Sequence, residues 1–362
     1  LRLRTLAADD LPALAQLYGR VHPDHGWPTL AAYAAYFRAV VFDGPWRDPE
    51  LPSWVVEDGG AIRGVYAVMT RRMRLHGRRL RVAVGCQFMV DPERRGGLAA
   101  LQLLKACLAG PQDLTFVDGA TEEAQRLWTG LGGAAALPYC LHWTRPLRPA
   151  RHALALARAR RLLSPRLAAA ARPFAAVADR WVARLRPNRD IAAAAAVDDE
   201  PLDAAVMCAW LPQMMERATL QPEYEMHELA WLLEQAAAMK RHGPLRARLV
   251  RGDDGAPAGW YLHYVRAGAP AEVVQIAARA GAFDRVLRAL LADAWRHGAT
   301  AVRGRLDPRY AHALSQRHCW FRCDDCWTLA HARDPQILAA VHRGDAFLSR
   351  LEGEWWCRFH GG

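Results

Sequence analysis

The chain has 362 residues, 52% of them hydrophobic and 23% charged, and carries a formal net charge of +11 at pH 7. This composition excludes a disordered polypeptide, and the length favours two domains over a single core. No run of about 18 uncharged apolar residues occurs, so a membrane-spanning helix is not expected.

In chain order, Leu1 to Val21 carries charges throughout and lacks the apolar core of a signal peptide, which points to a cytoplasmic protein. Asp9-Asp10-Leu11-Pro12 opens a helix that runs to Val21, with aspartates at its positive end and proline in its first turn. A second helix spans Thr29 to Val41. Trp54 to Glu57 and Ala61 to Thr70 form a hairpin about Asp58-Gly59-Gly60. Arg72 to Leu75 and Leu80 to Val90 pair about His76-Gly77. A helix from Leu98 to Leu108, a strand from Leu114 to Asp118, a helix from Thr121 to Leu131 and a closing strand from Tyr139 to Thr144 complete the first half.

Residues 90 to 99, Val-Asp-Pro-Glu-Arg-Arg-Gly-Gly-Leu-Ala, carry the strongest chemical signal. They join an apolar strand to an amphipathic helix. The first turn of a helix has unpaired N–H donors and the positive end of the macrodipole. Gly96 and Gly97 leave the backbone open to close approach, and Arg94 and Arg95 add positive charge. The spacing Arg94-x-x-Gly97-x-Ala99 resembles the acyl-CoA pyrophosphate loop of the GNAT (GCN5-related N-acetyltransferase) family. The order of elements about it, antiparallel strands and then β–loop–α–β–α–β, is similar to a GNAT domain over residues 1–145.

Residues 146–190 are rich in alanine, arginine and leucine and interrupted by prolines, and read as a basic helical linker. The charge excess concentrates here, from Arg145 to Arg189, and is nearly all arginine: lysine occurs only at Lys105 and Lys240. A solvated basic surface is expected rather than a nucleic-acid site. Residues 191–335 repeat the pattern of the first half: helices at 201–216 and 224–239, strands at 246–251, 259–265 and 271–278, a helix at 284–297, a strand at 301–306, a helix at 310–317 and a final strand at 326–332. This is the reading of a second, diverged GNAT-like domain. Its loop, Ala278-Arg279-Ala280-Gly281-Ala282, does not keep the family spacing. Residues 336–362 add a helix and an aromatic tail (Trp355, Trp356, Phe359) expected to pack on another element. The fold class is thus α/β with mixed sheets, as two tandem acyltransferase-like folds.

The resemblance implies acetyl-CoA or another acyl-CoA as cofactor, held by Val90, Arg94, Arg95, Gly96, Gly97, Leu98 and Ala99. It also implies a tyrosine acid in the helix Thr121 to Leu131, but Trp128 takes that place, and an indole N–H is no acid near neutral pH. Trp128 is therefore counted among the cofactor contacts. Ser315 falls at the matching place in the second half. Gln87 is a polar residue within an apolar strand, and Glu57, Asp118 and Glu122 are the carboxylates near the strand ends. Gln87, Glu57 and Asp118 are the catalytic candidates. Tyr18, His22, His25 and Trp27 occupy the segment that shapes the acceptor pocket in this fold. In the second half Glu223, Tyr224 and Glu225 fall in the corresponding place, and Tyr261, His263 and Gln275 lie on strands, where such residues commonly belong to the core.

The eight cysteines are expected as reduced thiols. Cys319, Cys323 and Cys326, beside His318, lack the second, separated ligand pair of a zinc site, and no metal is expected. The expected activity is acyl transfer from CoA to a small-molecule or peptide amine, with homodimerisation left open. Two rivals remain: a non-catalytic acyl-CoA-binding or scaffold protein, and a Fem-like aminoacyltransferase that would use aminoacyl-tRNA, a partner the basic linker suits.

Overall fold

Two-residue turns with both residues in the left-handed region organise the first half. Gly59 and Gly60 (φ 59° and 77°) join one strand pair, and His76 and Gly77 (φ 48° and 82°) the next. Such turns match the natural twist of a hairpin. The structure is a computed structural model that describes residues 1–24, 26–94, 97–184, 191, 199–323, 326–357 and 359. Its elements begin with β1 (Arg2–Thr5), α1 (Leu11–Val21), α2 (Leu30–Phe37), β2 (Trp54–Asp58), β3 (Ala61–Leu75) and β4 (Arg78–Val90). There follow α3 (Leu98–Leu108), β5 (Leu114–Ala120), α4 (Glu122–Gly130), β6 (Ala134–Ala135), α5 (Leu137–Cys140) and β7 (Leu141–Pro146). Next come α6 (Pro149–Ala159), α7 (Pro165–Val182), β8 (Asp199–Pro201), α8 (Ala204–Met214), β9 (Leu220–Glu223) and α9 (Met226–Ala237). The chain continues through β10 (Leu245–Arg251), β11 (Pro257–Tyr264), β12 (Ala271–Ala278), α10 (Phe283–Arg296) and β13 (Ala301–Arg305). The last elements are α11 (Ala311–Gln316), β14 (Trp320–Cys323), β15 (Trp327–Ala332) and α12 (Pro335–Arg343).

Local chemistry accounts for several helix starts. Thr29 Oγ1 accepts from the Ala32 N–H at 3.1 Å, Thr121 Oγ1 from Ala124 at 3.3 Å, and Asp203 Oδ1 from Val206 at 2.8 Å. Each satisfies one of the orphan donors of a helix N-terminus.

The chain divides into two compact units, one of residues 1–140, 218–241 and 324–362, the other of residues 141–217 and 242–323. This differs from contiguous boundaries at 145, 190 and 335. The first unit is built on a mixed sheet of order β1-β2-β3-β4-β5-β15-β6, with β9 paired to the far half of β3. The second is built on the order β14-β7-β13-β12-β11-β10-β8. The closing strand expected for the first domain, β7, pairs instead with β13 and β14 in the second unit. The strand expected to close the second domain, β15, pairs with β5 and β6 in the first. An apolar alternation makes a strand but does not name its neighbour, because every strand edge offers the same backbone donors and acceptors.

In the first unit α3 packs on the sheet, where Leu103, Leu104 and Cys107 meet Tyr66, Val68 and Val117. In the second, α10 buries Val286, Leu287, Leu290 and Leu291 against β11 and β12. The basic segment read as a linker belongs to the second unit. Its helices α6 and α7 pack on each other, and the buried Asp179 carboxylate accepts from the Ala150 N–H and from Arg151, each at 2.8 Å. The outer side of α7 leaves Phe174 and Trp181 exposed. No described helix is long and apolar enough to cross a membrane.

Candidate active-site cleft

Strands β4 and β5 run parallel and pair only over Val82–Val84 and Leu114–Phe116. Beyond that point the ladder between them stops, while on its other edge β5 stays paired with β15 from Leu114 to Ala120. The divergence begins beside a bulge. Cys86 pairs with Ala67 and Phe88 with Tyr66, so Gln87 is an extra residue on β4, held at φ 47°. A glutamine in the left-handed region is uncommon, and a bulge of this kind bends its strand and re-aims a side chain.

Between the parted strands lies a cavity of about 200 Å³, lined by His22, Tyr66, Gln87, Val117, Thr121, Trp128 and Glu354 among others. Gly85 forms part of its wall for a steric reason: a Cβ there would stand 2.1 Å from Tyr66 Oη and 2.6 Å from Val117. Two polar atoms in the wall, Gln87 Nε2 and Tyr66 Oη, are buried without a hydrogen-bond partner among the described residues. The other end of the Gln87 amide is held, since Oε1 accepts from Tyr33 Oη at 3.2 Å.

Glu354 reaches this cleft from the C-terminal segment. Its carboxylate accepts the backbone N–H of Gln87 at the bulge and lies over Gly119 on β5, where a Cβ would be 3.1 Å from Oε1. Its own N–H donates to Asp118 Oδ1 at 2.7 Å. Burial pushes the Glu354 carboxyl up to about 8, the negative charge of Asp118 adds to the rise, and the Gln87 N–H draws it back. The group therefore titrates near neutral pH, inside the gap between the two strands.

Residues of α1 and of the segment before α2 converge on the same C-terminal segment. Tyr18 Oη donates to the Phe359 carbonyl at 2.6 Å, and Trp27 Nε1 to the same oxygen at 3.2 Å. Tyr18 stacks on Tyr33 at 3.8 Å, and burial pushes its hydroxyl up to about 12. His22 lines the cleft, with its ring 5.0 Å from that of Tyr18. His25 lies outside the described residues.

The loop before α3 is anchored at its start. The buried Asp91 carboxylate accepts from Arg20 and Arg63 at 3.0 Å each and from the Glu93 N–H at 3.2 Å. Burial alone would raise this carboxyl, but the three donors outweigh it and hold it below its ordinary value. Gly97 is the N-cap of α3, with extended backbone and no side-chain cap; Leu98 is exposed and Ala99 is buried. Arg95, Gly96 and the side chain of Arg94 lie outside the described residues. Val90 ends β4 opposite Gly64.

Three further candidates from the sequence are placed as follows. Glu57 is not in the cleft wall; it is on β2, and Oε2 accepts from Arg4 at 2.8 Å. Asp118 is buried and accepts the Glu354 N–H, and a Cβ on Gly353 would stand 2.1 Å from its Oδ2. Trp128 does line the cleft, but its indole N–H donates to the Ala330 carbonyl at 3.2 Å, so it is a wall fixed to β15. Glu122 pairs with Arg126 along α4.

In the second unit, Tyr261 donates to Asp199, His263 Nε2 lies 2.9 Å from Asp293, and Gln275 Oε1 accepts from Trp260 at 2.8 Å. Tyr261 and His263 are joined through Asp199, Arg296 and Asp293 in a polar network, and Gln275 is paired within the core. Glu223, Tyr224 and Glu225 belong to the first unit, where Glu223 accepts from Arg74 at 2.7 Å, Tyr224 donates to Glu352 at 2.7 Å and Glu225 accepts from Arg72 at 2.8 Å. Glu354 is a titrating group of the cleft that residue patterns missed. Its only sequence signal was its place beside the aromatic tail.

Residues 2–112 match the family model of an acetyltransferase (GNAT) domain. No curated protein sequence matches the chain. Among solved structures the chain is similar to a conserved protein of unknown function and probable N-acyltransferase from Enterococcus faecalis V583, at 11% identity over 91% of this chain and 72% of that one, with TM-score 0.59. A GCN5-related N-acetyltransferase from Anabaena variabilis ATCC 29413 matches at 12% identity over 91% and 72%, with TM-score 0.58. One from Kribbella flavida matches at 15% identity over 92% and 71%, with TM-score 0.57. At these identities the likeness is one of fold.

Proposed function

With a GNAT domain over residues 2–112 as premise, we propose that this protein is an acyl-CoA-dependent N-acyltransferase, in the simplest case an N-acetyltransferase, acting on a small-molecule or peptide amine. The observation that carries the reading is the cleft between the parted strands β4 and β5, with a carboxyl that titrates near 8 inside it.

The residues present fit an acyl-CoA. Gln87 Nε2 and Tyr66 Oη are unpartnered polar atoms in the cleft wall, and the uncapped first turn of α3 follows the anchored loop. The backbone from Arg94 to Ala99 would hold the diphosphate on the N–H groups of the helix start, with Val90 at the strand end toward the acyl group. Acyl-CoA, when bound, supplies the activated acyl group. Tyr18, His22 and Trp27 border the acceptor side. Above its midpoint Glu354 is ionised and takes a proton from the acceptor amine, and a base is most effective when its pKa lies near the operating pH. Asp118 and the Gln87 N–H act on Glu354 and not on the acceptor, so they are positioning groups. The Trp128 N–H is engaged with Ala330, which leaves protonation of the departing sulfur to water.

That engaged indole also supports a second reading, a protein that binds acyl-CoA without turnover. Calorimetry with acetyl-CoA, followed by a thiol-release assay over a panel of amines, separates the two. Heat together with thiol release supports the transferase, and heat without release supports the binding protein. Absence of heat with every acyl-CoA sinks both.

A further inference from the structure

Arg71 is on the opposite face of β3 from Tyr66, by the two-residue period of the strand. It is buried, and its Nη1 donates to the Thr70 carbonyl at 3.0 Å. Its Nε and Nη2 have no acceptor among the described residues. The guanidinium carbon lies 3.9 Å from the centre of the Trp46 ring and 5.7 Å from that of Trp356. The Nε1 atoms of both indoles are likewise buried without an acceptor. Four nitrogen donors, two of the guanidinium and one of each indole beside it, thus have no acceptor among the described residues.

Ring contact stabilises part of a buried charge, but it engages the face of the guanidinium and leaves its edge unsatisfied. The carboxylates in reach are committed elsewhere. Glu352 acts on Arg71 only through space, since its oxygens accept from Tyr224 Oη and the Ser349 N–H at 2.7 Å each. Asp48 is held by Arg81 at 2.6 Å. Arg71 and Trp46 line a cavity of about 240 Å³, enclosed by residues 40–53 and by β3. That volume suits a compact molecule, below the roughly 300–1,000 Å³ of drug-sized sites. Nε and Nη2 are the parallel pair of the guanidinium fork, the edge that matches the two oxygens of a carboxylate.

We propose that this cavity binds a small organic carboxylate, gripped by Arg71 through Nε and Nη2, with the Trp46 indole N–H as a further donor. The site is distinct from the acyl-CoA cleft, with which it shares no lining residue, and it does not depend on acyl transfer. The test is calorimetry and thermal shift on the full chain with acetate, succinate and glutamate, run beside phosphate and chloride. At least one carboxylate should give heat and raise Tm. Arg71→Met should weaken that binding by about 30-fold or more, and Arg71→Lys, which keeps the charge without the fork, by nearly as much. Trp46→Phe keeps the ring and should weaken it about fivefold. Acetyl-CoA binding should be unchanged in all three variants. The proposal is overturned if no carboxylate binds, if phosphate alone binds, or if Trp46→Phe and Arg71→Lys bind as the parent does. The last two variants decide the matter even if Arg71→Met does not fold.

Discussion

The two units carry the same strand device and put it to different ends. In each, a parallel strand pair is short and the strand leading into it bears a bulge: Gln87 on β4 in the first, Val274 on β12 in the second. In the first unit the parted strands enclose a cavity with Glu354 in it. In the second, Trp143 of β7 fills in beside Gly304, where a Cβ would be 3.2 Å from the indole. The helix starts differ in the same sense. The first turn of α3 begins with Gly97 and an exposed Leu98, whereas α10 begins with a buried Phe283 stacked 3.8 Å from Tyr310. Near the second loop, Arg279 and Arg285 are paired with Asp254 and Asp253. The same kind of bulge thus borders a cavity in one unit and stands near a buried aromatic ring in the other.

This contrast can be broken at several points. The largest effect is expected at the loop. Gly97→Trp should reduce acetyl-CoA affinity by at least about a hundredfold by calorimetry, because a large side chain blocks backbone approach at the helix start. Gly281→Ala in the second unit should leave that affinity unchanged, and a loss there would show that the second loop also binds.

Next is Glu354→Gln, which should lower kcat by roughly 10²–10⁴ while leaving the acetyl-CoA Kd within about twofold. The parent protein's kcat/KM should rise with pH about a midpoint near 8, and the variant should lose that limb. Stability carries the opposite sign. The folded carboxyl is raised above its ordinary 4.5, so the unfolded chain loses its proton first as pH rises. Its contribution to stability therefore falls from about pH 4.5 and is lost by about 8, and Glu354→Gln should flatten that slope in urea titrations. An unchanged slope would show that the Glu354 carboxyl is not raised in the folded protein.

Smaller effects should come from the rings. Trp143→Ala should cost about 3–5 kcal/mol by chemical denaturation, the price of an unfilled core cavity. Trp128→Phe keeps most of the volume and removes one hydrogen bond, so about 1 kcal/mol is expected, with thiol release retained. If Trp128→Phe abolishes release with the fold intact, the indole has a chemical role that its bond to Ala330 does not suggest.

Much of this was legible in residue order. The hairpin turns at Asp58-Gly59-Gly60 and His76-Gly77, the helix after the glycine loop and the polar Gln87 in an apolar strand each announce themselves through local rules, because turns, caps and periodicity act over a few residues. Glu354 was not legible, since a single glutamate beside an aromatic tail has no periodicity to betray it. Nor was Arg71, one arginine among many, whose meaning comes from the rings around it and the bonds it lacks.

By itself, then, the sequence determined the kinds and order of the elements, the mixed α/β class and the place of the loop, all of which follow from short-range stereochemistry and apolar spacing. Only the tertiary structure decided which strand closes which sheet, that the C-terminal segment enters the cleft of the first unit, and what pKa its glutamate has. Those outcomes depend on contacts between residues hundreds of positions apart, where burial and neighbouring charge act regardless of distance along the chain.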